Sequence, residues 1–429
     1  MKIALLTPGA GGMYCGNCLR DFALAKALRA LGHDAIIVPL YLPLTLEDPG
    51  AKADTPLFFG GVNVYLQHKT SFFRKNRTGL GVFEKLMNSP TLLGFAASFA
   101  GKTDPKELGD LTLSMLRGEE GNQIKELDKL AGFLKNELKP DIVCFSNGML
   151  FGMARRIREL SGAKVWGTLQ GEDFFLDHLP APYNVDCWKV MSERGAELDR
   201  VIGISKYYSN LMAERMQWKS DKIQVIYNGI ALDEYKVNEP LPALPSVPTL
   251  GYFARYAPEK GLPTLINAFG YLKSKNTPEN LILRTAGSLT PGDQKFFDGV
   301  KADIAKRGLT QSIFLEPNVS KARKIEFMRA LSVFSVPATL GEGFGLYLLE
   351  AWASGVPVVQ PRTAAFVELL EATNGGVLYE PGDAFALAAQ AEPLLSNPAK
   401  AREIGEHARN VVKERFSAQR MAQDFLALA

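Results

Sequence analysis

Two runs of alternating apolar strand and amphipathic helix, split by a proline-rich stretch, constrain this chain more than any other feature. The first run predicts short buried strands at 2–7, 34–41, 141–146, 164–170, 200–205 and 222–227. A helix over 19–31 places Leu19, Phe22, Ala23, Leu28 and Leu31 on one face and is closed by Gly32. Residues 236–248 carry Pro240, Pro242, Pro245 and Pro248 and read as an extended linker. A second run follows, with strands predicted at 249–254, 281–286, 313–315, 331–336, 356–360 and 376–379. Strands that alternate with helices form parallel, doubly wound sheets. The expected fold class is therefore α/β, with two Rossmann-like domains: 1–235, and 249–411 after the linker. A length of 429 residues agrees, since one core rarely grows that large.

Bulk properties exclude several functions. A net charge of +3 leaves no nucleic-acid footprint. The hydrophobic fraction of 46% is that of a globular chain, and no apolar run is long enough to span a bilayer. Met1 to Pro8 is too short for a signal peptide, and four cysteines do not make a disulfide scaffold. A cytoplasmic protein is expected. Residues 70–135 break the pattern: apolar patches at Phe72-Phe73 and 92–99 lie near Arg74, Lys75 and Arg77. They read as helical insertions on the first domain. Their role is packing or a lid, or else a peripheral contact of 70–100 with the inner face of a membrane.

The densest chemistry lies at Gly341-Glu342-Gly343-Phe344-Gly345-Leu346-Tyr347-Leu348-Leu349-Glu350. A buried strand precedes it, glycines make the turn, and an apolar helix begins at Leu346. Strand, glycine turn and helix N-terminus together form a seat for phosphate. Glu342 stands before the seat and Glu350 two turns into the helix, at most about 12 Å away at roughly 1.5 Å rise per residue. A ligand with hydroxyls at both ends and phosphates between, a nucleotide sugar, fits this spacing. A second element, Arg255 to Gly261, follows the first strand of the second domain. Arg255 and Lys260 supply the fork and the point charge that a diphosphate leaving group needs. The chain lacks an Asp-x-Asp metal clasp in this setting, so no metal and no cofactor are expected.

Glu342 and Glu350 around Gly-Phe-Gly, followed by Ala351 to Val359, resemble the signature of retaining glycosyltransferases of the GT-B fold, family 4-like. The resemblance implies two domains with the active site in the cleft between them. It implies that Glu342, Gly343, Phe344 and Gly345 hold the transferred sugar and Glu350 the ribose, with Leu346 also donor-binding. Arg255 and Lys260 resemble the family's Arg…Lys-Gly pair, which neutralises the diphosphate. Gly11 and Gly12 of Gly9-Ala10-Gly11-Gly12 resemble the glycine loop that faces the donor phosphates. Ala10 stands where starch and glycogen synthases carry Lys, and the dinucleotide pattern Gly-x-Gly-x-x-Gly is not met. Ser205 through Asn228-Gly229-Ile230 matches a structural run that enters the interdomain hinge. The C-terminal helix, 417–429, resembles the one that crosses back onto the first domain.

At Gln170, with Glu172 and Asp173 after it, many family members have a His. Gln170 is expected to hydrogen-bond a sugar hydroxyl and Glu172 and Asp173 to face the acceptor. Without a His base, unless His178 or His68 swings in, a leaving phosphate oxygen takes the acceptor's proton. Cys15 and Cys18 read as small, partly buried residues beside the donor loop, since a zinc site needs a second ligand pair and Cys144 and Cys187 stand alone. The expected activity is retaining, metal-independent transfer of a hexose-type sugar from a nucleoside diphosphate to a sugar, lipid or small-molecule hydroxyl. A nucleotide-sugar 2-epimerase and a non-catalytic nucleotide-sugar binder are the alternatives. The epimerase is disfavoured by the shortage of His.

Overall fold

In the computed structural model of the protein, the described residues are 1–8, 16–41, 58–59 and 105–429. They divide into two units, Met1–Tyr227 with Ala422–Ala429, and Asn228–Met421. Each unit is built on one six-stranded, wholly parallel sheet with flanking helices. This is the doubly wound α/β class expected from the sequence.

In the first unit β1 (Lys2–Thr7), β2 (Asp34–Pro39), β3 (Ile142–Phe145), β4 (Lys164–Leu169), β5 (Arg200–Gly203) and β6 (Ile223–Val225) lie in the order β2-β1-β3-β4-β5-β6. Their residues are mostly buried, because helices cover both faces of such a sheet. The first helix, Gly16–Ala30, ends at Gly32, whose φ of +85° reverses the chain into β2. Helices Pro105–Leu116 and Ile124–Phe133 occupy the described part of the 70–135 insertion. Residues 70–104, with the apolar and basic stretch, lie outside the described residues. At the C-terminus, helix Ala418–Leu426 sets Phe425 against Trp166 of β4, ring centroids 4.7 Å apart.

In the second unit β7 (Thr249–Phe253), β8 (Ile282–Gly287), β9 (Ile313–Pro317), β10 (Val333–Phe334), β11 (Val358–Pro361) and β12 (Gly376–Tyr379) lie in the order β12-β11-β10-β7-β8-β9. The chain starts mid-sheet, runs out to β9, returns to place β10 beside β7, then runs out the other way. The loops after β7 and β10 therefore leave the sheet side by side at its carboxyl end, the usual ligand crevice of such sheets. The proline-rich 236–248 stretch is irregular and is held to this unit by arginines. Arg409 donates to Lys236 O at 2.7 Å, and Arg402 donates to Pro242 O. Just before it, Arg329 donates to Tyr235 O at 2.7 Å. Ile230 forms a parallel bridge with Ser417.

Candidate functional site

The loop after β7 is pinned before it presents its charges. Tyr256 and Ala257 are fully buried, and the Tyr256 hydroxyl meets Thr285 Oγ1 at 2.9 Å. This anchor leaves Arg255 turned outward, with nearly half its side chain exposed. A short turn, Pro258–Lys260, ends at Gly261 with φ +71°. A Cβ at Gly261 would stand 1.8 Å from the Pro337 carbonyl oxygen, so only glycine allows the β7 loop to touch the β10 loop there. Thr339 N then donates to Glu259 O at 3.0 Å and ties the two loops together.

That contact brings two predicted residues into one ion pair. Lys260 Nζ donates to Glu342 Oε1 at 2.5 Å, and the Tyr347 hydroxyl donates to the same oxygen at 3.1 Å. The Glu342 backbone carbonyl accepts from Ala365 N at 3.2 Å. Arg255 is also matched by carboxylates, with Glu259 in direct contact and Asp293 Oδ2 3.8 Å from its Nε. Each predicted cation thus carries a carboxylate counterion. Burial, followed by the adjacent Glu342 charge, pushes the Tyr347 phenol well above its ordinary range. Tyr252, on β7, is raised as well, by burial first and then by neighbouring Tyr256.

Glu342 leads into Gly343, Phe344 and Gly345. Phe344 is buried, its ring 6.4 Å from that of Phe416. Gly345, at φ +84°, is the N-cap of helix Leu346–Ala353, with no side-chain cap. The first amides of a helix have no intrahelical acceptor, and the helix dipole is positive at this end. Glu350, in the same helix, is buried, and its Oε1 accepts from Lys324 Nζ at 2.6 Å. The structure thus places Arg255, Lys260, Glu342, the 343–346 turn and Glu350 on the loops and helix that flank the β7–β10 switch. The sequence motifs do not by themselves single out Lys324 or Tyr347. A signal existed for Lys324, since it shares a helix face with buried Phe327 and Met328 at i+3 and i+4.

In the first unit the predicted residues serve one another. The Gln170 side-chain amide is buried and donates to Ser146 O at 2.8 Å, across from β4 to the loop after β3. Glu172 is buried. Its Oε1 accepts from Gly148 N at 2.6 Å, and its Oε2 accepts from Gln170 N at 2.7 Å and the Tyr208 hydroxyl at 2.8 Å. Burial raises the Glu172 carboxyl pKa, opposed by these hydrogen bonds. Glu172 is thus a brace between the ends of β3, β4 and the helix after β5. Asp173 Oδ1 lies 3.0 Å from the Tyr208 hydroxyl, and this residue is only half-buried. His178 is exposed, its Nδ1 2.7 Å from Phe174 O.

Gly11, Gly12, Cys15 and His68 lie outside the described residues. Cys18 is buried with its Sγ 3.6 Å from Thr7 Oγ1. Burial pushes the Cys144 thiol up to about 12. Among the described residues no helix is long and apolar enough to cross a membrane, and no group of three or more His, Cys, Asp or Glu is placed to hold a metal ion.

Parts of the chain match known protein families. Residues 239–411 match the family described as Glycosyl transferases group 1, and residues 108–234 match Glycosyltransferase Family 4. A lipopolysaccharide core biosynthesis mannosyltransferase of Rhizobium leguminosarum bv. viciae is 30% identical over 42% of this chain and 49% of its own length. A phosphatidyl-myo-inositol mannosyltransferase of Mycobacterium leprae is 31% identical over 43% of this chain and 48% of its own. These matches span about half the length of the relatives. Anabaena HepE, solved with UDP and with UDP-glucose, superposes with a TM-score of 0.67 for the UDP complex, at 17% identity over 100% of this chain and 99% of its own. At that identity the likeness is one of fold.

Proposed function

The chain belongs to the GT-B-fold, family 4-like glycosyltransferases, and on that premise we propose that it moves a hexose-type sugar from a nucleoside diphosphate to an acceptor hydroxyl with retention of configuration. The observation that carries this reading is the β7–β10 switch point, where Lys260 touches Glu342 at 2.5 Å beside Arg255 and the 343–345 turn. A diphosphate leaving group develops charge as the glycosidic bond breaks, and fixed cations stabilise that charge most when they are already in place. Arg255 and Lys260 are those cations. Their presence supports a reaction without a metal.

The remaining roles follow the donor's shape. The N-terminal end of helix Leu346–Ala353 faces the phosphates, Glu342 and the 343–345 backbone orient the sugar, and Glu350 binds ribose. The acceptor oxygen forms its bond to the anomeric carbon as the bond to the phosphate oxygen breaks. The acceptor's proton passes to that departing oxygen, so the step does not depend on a base at Gln170, whose amide is engaged with Ser146 O. Glu172, bonded inward, shapes the acceptor side of the first unit, and Asp173 is left as its acceptor-facing carboxylate. The names of the relatives point to an acceptor hydroxyl on a glycan or a lipid headgroup.

The test is a melting screen with UDP-, GDP- and ADP-sugars, followed by transfer to candidate acceptors in EDTA and determination of the product's anomeric configuration. A donor at about 100 times its dissociation constant adds roughly 2.7 kcal/mol of stability. No shift with any nucleotide sugar sinks the donor site. Inversion of configuration sinks retention, and activity lost in EDTA but restored by a divalent cation sinks metal independence.

A further inference from the structure

We propose that Lys324 is a positioning residue for the donor's ribose, acting through Glu350. The proposal rests on the reading that Glu350 binds the ribose. Lys324 and Glu350 sit on different helices, Lys321–Arg329 before β10 and Leu346–Ala353 after it. Their side chains are 4% and 8% exposed, with Lys324 Nζ 2.6 Å from Glu350 Oε1. The ammonium also lies 5.8 Å from the ring centroid of Phe253, the last residue of β7. It is therefore held at the carboxyl end of the sheet, at the seam between β7 and β10.

Three features set this lysine apart from a structural one. Removing two charges from water costs several kcal/mol per ion, and apolar side chains of similar volume often serve stability as well or better. Lys324 shares its helix face with buried Phe327 and Met328, where an apolar residue would pack without that cost. It also lies in the first turn after the Ser320 cap, the end of a helix where the dipole disfavours a cation. What the pair supplies is direction. An ionised carboxylate accepts from several donors at once, so an ammonium at Oε1 fixes the plane in which ribose hydroxyls approach.

The test uses UDP, GDP and ADP with their 2′,3′-dideoxy counterparts as probes, measured by calorimetry on the full chain, with a melt of each variant. Lys324→Met is expected to weaken the tightest ribonucleotide about 10-fold or more, the scale of one charge-assisted hydrogen bond. Its dideoxy form should change by less than about 2-fold. In turnover, KM for the donor rises while kcat holds. Lys324→Arg, which keeps the charge, restores part of the loss. If Lys324→Met does not fold, Lys324→Arg alone must show a ribose-selective loss, because its fork cannot reproduce a single ammonium contact. Equal losses on ribo and dideoxy probes, or no loss on either, overturn the inference. Glu350→Ala separates the two failures. If it discriminates between the probes while the Lys324 variants do not, only the positioning role falls. If it does not discriminate, the ribose reading falls and the inference with it.

Discussion

Glu342→Gln keeps the size of the side chain and removes its charge. In the structure that charge faces Lys260 Nζ at 2.5 Å and the Tyr347 hydroxyl at 3.1 Å, with 25% of the Lys260 and 18% of the Glu342 side chain exposed. A hydrogen bond between charged groups contributes about 1.5–3 kcal/mol when buried, whereas exposed pairs give about 0–1. This partly exposed pair falls between, so the variant should lose about 1 kcal/mol and melt roughly 2–4 °C lower. The effect on catalysis is larger. Losing one preorganised group that stabilises the transition state costs about 10²–10³ in kcat. Affinity for the sugar-free nucleoside diphosphate should hold or rise, because Lys260 no longer has a carboxylate to leave. The assay is the initial rate of nucleoside diphosphate release at saturating donor and acceptor, paired with calorimetry of the diphosphate alone. A kcat within about threefold of the parent refutes the role of Glu342. A fall in diphosphate affinity that matches the fall in kcat shows general damage instead.

Other outcomes follow from the same structure. Arg255→Met and Lys260→Met should each weaken nucleoside diphosphate binding about 10-fold and flatten its dependence on salt, read by calorimetry at two ionic strengths. Gly261→Ala adds a Cβ 1.8 Å from Pro337 O at φ +71°, and should cost more than about 2 kcal/mol. Gly382→Ala, at φ +79° with nothing within 4 Å, should cost only about 1, so equal melting points for the two variants would contradict the loop contact. Carbon-13 titration of Glu172 should give a midpoint above the ordinary 4.5. Between 4.5 and that midpoint the native state holds more protons than the unfolded chain, so this carboxyl's contribution to stability falls as pH rises through the window. A midpoint at or below 4.5 would show that the three donors to Glu172 outweigh its burial.

The sheets were legible because parallel strands covered on both faces leave continuous apolar runs, as at Ile142–Phe145. β10 is shorter than its apolar run because past Ser335, whose N still donates to Gly251 O of β7 at 2.9 Å, the chain leaves the ladder. Val336 N turns to the Gln360 side chain, at 3.3 Å, and Pro337 has no N–H to give. Lys260 and Glu342 could be read from two local motifs, although their contact depends on strand order, which no local pattern encodes. Gln170 shows the opposite case. Its residue type suggested a sugar ligand, but its amide is taken by Ser146 O, 24 residues away on a neighbouring loop. Lys324 is hard to read from sequence, because a lysine in a polar-looking helix reads as solvated until the burial of Phe327 and Met328 is known.

The contact between Lys260 and Glu342 has a consequence for the order of events. Each charge is the other's counterion, so neither stands alone on the loops after β7 and β10. On the proposed reading, a diphosphate that draws Lys260 toward itself loosens Glu342 for the sugar on the same ligand, while the Tyr347 hydroxyl still donates to that carboxylate. The two halves of such a substrate would then act on one ion pair, each changing what the other meets.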